Sequence, residues 1–210
     1  MLVKENTHQP VETDVHNLDQ YRAAALENVR ISGYEPRFVI PRKHDDGETR
    51  EDQSFERHVV IMEAVLNPHN RRLVHPVILN TNLCDDREIL WRTGIPGAMY
   101  GELPSGKFTK WLLAYWWAKI RQRVTEFDTA STEEKEVFVW QMHDFFLCLQ
   151  PFIRGNGRTA RLVQHNLRQV LGMPRHIIQY GKAKEYYGHV NEYRVETFVP
   201  MMRCHGYIPS

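Results

Sequence analysis

Residues 150–161, QPFIRGNGRTAR, constrain the chain more than any other part of its sequence. The turn 155–157 reads Gly-Asn-Gly, and since glycine adopts positive φ at low cost, successive backbone N–H groups can point into one concavity. A helix is predicted directly afterwards, and its free N–H groups and dipole favour an anion. Arg158 and Arg161 lie three apart in its first turn, and guanidinium pairs well with phosphate. A lone glycine turn is more often a simple corner with solvated arginines, but the whole segment predicts a di- or triphosphate cradle.

Apolar residues at helical spacing surround this segment, and they predict a mainly α-helical chain of about seven helices with no long strand. Ser131 and Glu134 have the spacing of a capping box, and Pro151 is expected to end the helix before it. Residues 41–53 are predicted to be a loop, and 67–107 to be irregular with a possible short helix near 85–91. The predicted helices span residues 18–31, 54–66, 108–126, 132–149, 158–171, 182–193 and 195–204.

Four tryptophans at helical spacing invite interpretation as a ligand-binding box, but large aromatic residues at such spacing usually belong to a core. We therefore expect Trp111, Trp116, Trp117 and Trp140 to be packed inside the protein.

The composition is that of an ordinary soluble globular domain, with 42% hydrophobic and 25% charged residues among 210. A net charge of +1 gives no global signal for nucleic acid or a membrane surface, so neither partner is expected. The three cysteines are scattered, which fits a reducing compartment and argues against a cysteine-rich zinc site. The first residues lack the apolar region of a signal peptide, and the apolar stretch 111–118 is too short to cross a bilayer. We expect a cytoplasmic protein.

The segment 150–161 resembles the motif of the Fic family, His-Pro-Phe-x-Asp/Glu-Gly-Asn-Gly-Arg-x-x-Arg. The matching residues are Pro151, Phe152, Gly155, Asn156, Gly157, Arg158 and Arg161. His143 and residues 185–187 also resemble the family at the corresponding spacing. The resemblance implies a Fic fold with a short β-hairpin flap, in which residues 1–53 are an N-terminal extension and 54–205 the Fic-like domain. It implies a protein adenylyltransferase, in which the motif histidine deprotonates a target hydroxyl that attacks ATP, and the acidic residue binds magnesium.

Two positions depart from that motif. Gln150 replaces the histidine, and a neutral amide is not expected to act as a general base. Arg154 replaces the acidic residue and cannot ligate magnesium. No Asp or Glu lies between Asp144 and Glu185, so no metal site is predicted. His143 is expected to pack inside the helices rather than to replace the base.

The resemblance implies binding of ATP or another phosphate-containing nucleotide, and the change at Arg154 argues against magnesium as its partner. The residues expected to hold its phosphates are Arg154, Gly155, Asn156, Gly157, Arg158 and Arg161.

Two further segments resemble regulatory parts of the family. A flap is expected at Thr93, Gly94, Ile95 and Gly97, where an exposed edge would pair with an unknown target protein; an ordinary connecting loop is the alternative. Residues 18–32 resemble an inhibitory helix, with Glu27 expected to reach Arg161. A solvated glutamate on an amphipathic helix is the alternative there.

Three functions remain open from the sequence. The first is an inactive or altered adenylyltransferase that binds a nucleotide or a protein partner. The second is an active nucleotidyl or phosphoryl transferase that modifies a protein hydroxyl by a non-standard mechanism. The third is an interaction module of a toxin–antitoxin pair or an effector, which binds no nucleotide.

Overall fold

The structure, a computed structural model, describes residues 15–31, 50–67, 69–84, 91–92 and 103–209. Eight α-helices lie within these ranges: α1 (Val15–Ile31), α2 (Arg50–Leu66), α3 (Pro76–Cys84), α4 (Gly106–Glu126), α5 (Thr132–Leu149), α6 (Asn156–Val170), α7 (Ala183–Tyr193) and α8 (Val199–Cys204). A π-helical turn, Arg194–Phe198, joins α7 and α8 into one continuous helix, which makes seven helical rods. The part of the chain that is described holds no sheet, so the all-α prediction is confirmed.

Most helix bounds agree with the sequence prediction to within a few residues, and two regions do not. Residues 50–53, predicted as loop, form the first turn of α2. The irregular region 67–107 contains α3, which the sequence did not reveal. Proline and asparagine usually mark turns, but here Pro76 occupies the first helical position, where its missing N–H costs nothing. The possible helix at 85–91 falls almost entirely outside the described residues.

Helix α5 begins and ends as the sequence predicts. The Ser131 hydroxyl accepts from the Glu134 backbone N–H at 3.2 Å, and the Glu134 carboxylate accepts from the Ser131 N–H at 2.8 Å, which completes the capping box. The helix stops at Leu149, before Pro151. Residues 143–149, its last two turns, are buried, so the segment 150–155 begins at a helix end that lies in the core.

Helix α6 is the central helix, and residues 159–168 are all buried. It packs against α1, α2, α3 and α5. Its polar side chains hold neighbouring segments: Asn166 accepts from the Val74 N–H at 2.8 Å and donates to the Arg72 carbonyl at 2.9 Å. Arg168 bonds the Glu136 carboxylate at 2.6 Å and the Pro174 carbonyl at 2.8 Å. Because buried polar groups need partners, these contacts fix the connections around α6.

One hydrophobic core joins all the helices, and α1 contributes to it through Tyr21, Ala24 and Ala25. The prediction that the tryptophans are packed inside holds for Trp116, which is buried and donates to the Met142 carbonyl at 3.0 Å. It is wrong for Trp111, which is 56% exposed. Apolar residues lie on more than one face of α4, so the helix period alone does not identify which of them meet the core.

No helix in the described ranges has both the length and the apolar character needed to cross a membrane.

Candidate functional site

The residue at the position of the family histidine closes the end of α5. Gln150 adopts a left-handed backbone conformation, with φ 48° and ψ 57°. Its N–H donates to the Phe146 carbonyl at 3.2 Å, and its side-chain Nε2 donates to the Leu147 carbonyl at 2.9 Å. The amide therefore folds back on its own helix and caps it.

Arg92 clamps this helix end from a distant part of the chain. Its side chain donates to the Gln150 carbonyl at 2.7 Å and to the Leu149 carbonyl at 3.0 Å, and its backbone N–H donates to the Pro151 carbonyl at 3.0 Å. A cation at a helix C-terminus is favoured by the helix dipole. Arg92 is buried, and burial lowers the pKa of its guanidinium from the ordinary value. Sequence reasoning missed this residue, because it lies in a Gly- and Pro-rich stretch with no periodic signal.

The loop after α5 is closed by Asn156. Its Oδ1 accepts from the Phe152 N–H at 3.0 Å, and its Nδ2 donates to the Phe152 carbonyl at 2.7 Å. The side chain is 6% exposed. Both polar atoms hold the loop in shape, and the predicted contact of Asn156 with phosphate stays a prediction. Phe152 is buried and pairs with Trp91 through an antiparallel bridge, with their rings 5.5 Å apart.

Gly155 starts α6 in a left-handed conformation, with φ 78°. A Cβ atom there would meet Asn80 Nδ2 and Cys84 Sγ, each at 2.8 Å. Asn80 Nδ2 also donates to the Arg154 carbonyl and to Thr159 Oγ1, both at 3.0 Å. Two independent features therefore favour glycine at this position: the left-handed backbone conformation and the close approach of α3.

The three arginines of residues 150–161 lie at increasing depth. Arg154 is exposed and donates to the Cys84 carbonyl at 3.2 Å, and Arg158 is half-buried. Arg161 is 1% exposed. Its guanidinium donates to Asn28 Oδ1 and, at 2.7 Å, to the Asn28 carbonyl. Arg154 and Arg158 thus lie nearer to solvent, and Arg161 is engaged by α1.

The predicted contact between Glu27 and Arg161 is wrong, because a different residue of α1 contacts Arg161. The Glu27 carboxylate accepts from the Tyr180 N–H and lies 3.9 Å from Arg30. Helix α1 does reach Arg161, but through Asn28, the next residue. One residue is a rotation of about 100° on a helix, so the two side chains point in different directions.

His143 is buried and fully engaged, as expected for a packing histidine. Its Nδ1 lies 2.7 Å from the Asp144 carboxylate, and its Nε2 lies 3.0 Å from the Tyr186 hydroxyl. Burial lowers its pKa, although Asp144 opposes that effect. The second Asp144 oxygen lies 3.0 Å from His189 Nε2. Neither Asp144 nor His143 is therefore available to a substrate at the loop.

Two further buried histidines lie close to the motif arginines. Burial lowers the pKa of His58 to about 3, with smaller contributions from Arg158 and Arg161. Burial also lowers the pKa of His165 to about 3, with Arg161 as the next cause. Both rings are neutral near pH 7. These histidines therefore add no charge near pH 7, and the positive charge in this region comes from the guanidinium groups.

A cavity of about 260 Å³ opens beside Gln150. Its walls are mainly apolar, with Leu103 and Val190, and it holds the aromatic ring of Tyr187 and the polar side chains of Asn191 and Arg194. The Tyr187 hydroxyl donates to the Ile31 carbonyl at 2.8 Å. A cavity with apolar walls and a few polar groups is the usual form of a small-ligand site.

The flap residues Thr93, Gly94, Ile95 and Gly97 lie outside the described residues, so the flap stays a prediction. Within the described ranges, no group of three or more His, Cys, Asp or Glu side chains is arranged to hold a metal ion.

No protein-family model matches the sequence, and no curated protein matches it significantly. Among solved structures, the chain is similar to a Fic domain containing signaling protein from Bacteroides thetaiotaomicron. The two share 15% sequence identity and a TM-score of 0.67, over 90% of this chain and 78% of that one. The fold of this chain is therefore Fic-like.

Proposed function

We propose that this chain is a Fic-type protein that binds a phosphate-containing nucleotide such as ATP and has lost, or altered, adenylyl transfer. The observation that carries the proposal is the loop of residues 150–158, which keeps the form of an anion-binding turn while the residue in the place of a base caps its own helix.

Phosphate binding is supported by the start of α6. The first N–H groups of a helix lack partners within it and carry a partial positive charge. Gly155 presents this helix end without a side chain in the way. Arg154 and Arg158 flank it, one exposed and one half-buried. These groups can neutralise phosphate charge that a metal would otherwise balance.

The cavity beside Gln150 supports binding of the rest of the nucleotide. At about 260 Å³ it lies below the usual range for whole ligands, roughly 300–1,000 Å³, so it suits one heterocyclic ring. Tyr187 offers a ring for stacking. Asn191 and Arg194, which are hydrogen-bonded to each other, place an amide and a guanidinium at the cavity wall, where such groups can bond ring nitrogens and oxygens.

Magnesium does not fit the residues present. Arg154 stands where the family has a carboxylate, and a guanidinium repels the ion. Asp144 is the nearest preceding acid in the sequence, and its two oxygens already contact His143 and His189. Arginine charge alone therefore balances the phosphates in this proposal.

Loss of transfer is supported by the state of the nearby groups. The Gln150 amide has no titration near neutral pH, and its Nε2 is bonded to the Leu147 carbonyl. His143 is fully buried between Asp144 and Tyr186. Removal of a general base typically costs on the order of 10²–10⁴ in rate.

A module that binds a protein and no nucleotide is the second candidate. It is favoured by Arg161, whose guanidinium already bonds the side chain and the carbonyl of Asn28. In that case α1 takes the place that a phosphate would need.

Calorimetry with ATP tests the proposal. We expect binding in EDTA that added magnesium does not strengthen, and at least a tenfold loss of affinity in Arg158→Ala. Arg123→Ala, an exposed arginine on α4, is the matched control and should bind normally. No binding with or without magnesium would contradict the proposal and favour the second candidate.

Transfer of label from α-labelled ATP to a protein, lost in Arg158→Ala, would instead establish an active transferase. Gln150→His alone should not restore full activity, because Arg154 still opposes magnesium.

A further inference from the structure

An exposed face of α4 carries an apolar stripe that nothing in the described chain covers. Trp111 and Tyr115 are 56% and 50% exposed, and Ala114 and Ala118 are exposed between and after them. These four residues follow the spacing i, i+3, i+4, i+7, which is the pattern of a helix face that packs against another helix. The opposite face of α4 is the one in the core, with Leu112, Leu113, Trp116 and Ile120 buried.

The aromatic residues of this stripe are held in place by their neighbours. The rings of Trp111 and Tyr115 are stacked at 5.8 Å with an interplanar angle of 11°. Tyr207, from the C-terminal segment, lies 5.6 Å from Trp111 and 5.1 Å from Phe108. The Tyr207 N–H is fixed to the Met202 carbonyl at 2.8 Å. Aromatic side chains that are already ordered lose little entropy when a partner binds, and Trp and Tyr are common binding anchors.

The charge on α4 beside the stripe is mainly positive, and Glu126, the last residue of the helix, is its one acid. From residue 103 to residue 125 the sequence has five Lys and Arg residues and no Asp or Glu. The Lys107 ammonium lies 4.8 Å from the Phe108 ring centroid, and that of Lys119 lies 5.7 Å from the Tyr115 ring centroid. Both lysines are exposed, so their charges border the stripe and remain open to a partner.

From this combination we propose that the exposed face of α4 is a docking surface for an amphipathic helix of a partner protein, with apolar side chains on the stripe and acidic side chains against the lysines. Ala114 and Ala118 allow the partner backbone to approach closely. Opposite charges at the border of a helix pair set the choice of partner. The proposal does not depend on nucleotide binding at the loop.

The same features disfavour three other occupants. A second copy of the chain would bring lysines against lysines. Single-stranded nucleic acid needs free ring faces for base stacking, but here Trp111 and Tyr115 stack on each other and lysines lie over the Tyr115 and Phe108 rings. A membrane would favour long apolar side chains in place of Ala114 and Ala118.

The test uses the full chain and two labelled 21-residue helical peptides, measured by fluorescence anisotropy. Both peptides have leucine at i, i+3, i+4, i+7 positions; one has glutamate beside the leucines and the other has lysine. We expect the glutamate peptide to bind at least tenfold more tightly at low salt, with a loss at high salt as charges are screened. Trp111→Ala should weaken binding at least tenfold, and Val137→Ala, an equally exposed apolar residue on α5, should not.

Charge reversal gives a second variant that does not remove an aromatic side chain. The double change Lys107→Glu and Lys119→Glu should transfer the preference to the lysine peptide. Equal binding of both peptides, or binding of neither, would overturn the proposal. Trp111-dependent binding of vesicles with 30% phosphatidylserine, of a dT20 oligonucleotide, or of a second copy of the chain in place of the glutamate peptide would overturn it as well.

Discussion

Helices α5 and α6 both end in a residue with a left-handed backbone, but the two ends are held in different ways. After α6 this residue is Gly172, with φ 68°. The turn closes on itself, since Met173 N–H donates to the Arg168 carbonyl at 2.8 Å and Gly172 N–H to the Gln169 carbonyl at 3.2 Å. After α5 the residue is Gln150, and a residue with a Cβ atom is less stable than glycine in this conformation.

The difference shows where the chain depends on long-range contacts. The α6 end uses glycine and neighbouring carbonyls, so local sequence is sufficient to form it. A non-glycine residue in the left-handed region costs about 1–2 kcal/mol, and at Gln150 the bonds from Arg92 offset that cost. Strained backbone of this kind tends to lie at functional sites. The left-handed turn at the candidate site is therefore held by a residue distant in sequence, whereas the turn at Gly172 is closed by bonds among residues 168–173.

Acid should have the largest effect, acting on His165 of α6 and on His58 of α2, which packs against α6. His58 and His165 have pKa values of about 3 in the folded chain and about 6.5 when unfolded. Their stabilising contribution is complete above pH 6.5 and is lost as the pH falls toward 3, because the unfolded chain binds the protons first. We expect the free energy of unfolding to fall by about 4 kcal/mol between pH 6.5 and 4.5 from these two groups.

Urea denaturation across this pH range measures the effect. His58→Gln should reduce the pH slope by about half, whatever it does to stability at pH 7.5. An unchanged slope would mean that His58 is not a source of the acid sensitivity.

Removal of the Arg92 side chain should come next in size. Arg92→Ala removes the donors to the buried Leu149 carbonyl and the part-buried Gln150 carbonyl, and hydrogen bonds from charged groups contribute about 1.5–3 kcal/mol. We expect a loss of about 3 kcal/mol in urea denaturation.

Arg175 is the matched control on the other side of α6. It is exposed and donates to the Leu66 carbonyl at 2.9 Å, so Arg175→Ala should cost less than about 1 kcal/mol. Equal losses in the two variants would contradict the distinction between the two helix ends.

The paired glycines give the smallest expected effects. Alanine at Gly172 meets no atom within 4 Å, so Gly172→Ala should cost only the backbone penalty of about 1 kcal/mol. Alanine at Gly155 also collides with Asn80 and Cys84, and should cost about 2 kcal/mol or more. Thermal or urea unfolding of both variants compares them directly. If the Gly155→Ala variant is as stable as the Gly172→Ala variant, the Asn80 and Cys84 side chains of α3 move aside with no loss of stability.

The sequence predicted the parts of the fold that depend on local chemistry. The capping box at Ser131 and the end of α5 before Pro151 are both confirmed, because each is decided within a few residues. The turn at Gly155 is also left-handed, as glycine there suggests. The Fic-like fold that these elements form was predicted from one short motif, residues 150–161.

The remaining parts of the site depend on contacts between distant residues. Arg92 is 57 and 58 positions from the carbonyls that it binds, and no pattern in its own segment marks it. The choice between Glu27 and Asn28 as the partner of Arg161 depends on the rotation of α1 about its axis, which charge alone suggests wrongly. The bonds from Asn156 that close the loop were not predicted, because side-chain chemistry alone does not show when a loop uses an amide for its own closure.

The contact between α1 and Arg161 has a consequence for affinity. The Asn28 carbonyl near the end of α1 lies at the negative end of the helix dipole, so the chain supplies its own partial negative charge to the guanidinium. A phosphate that uses Arg161 must first displace it. If α1 stays docked in all but a fraction of molecules, the apparent dissociation constant rises by the inverse of that fraction, or tenfold for each 1.4 kcal/mol of docking free energy. Shortening or loosening α1 would then tighten nucleotide binding without any change at the loop itself.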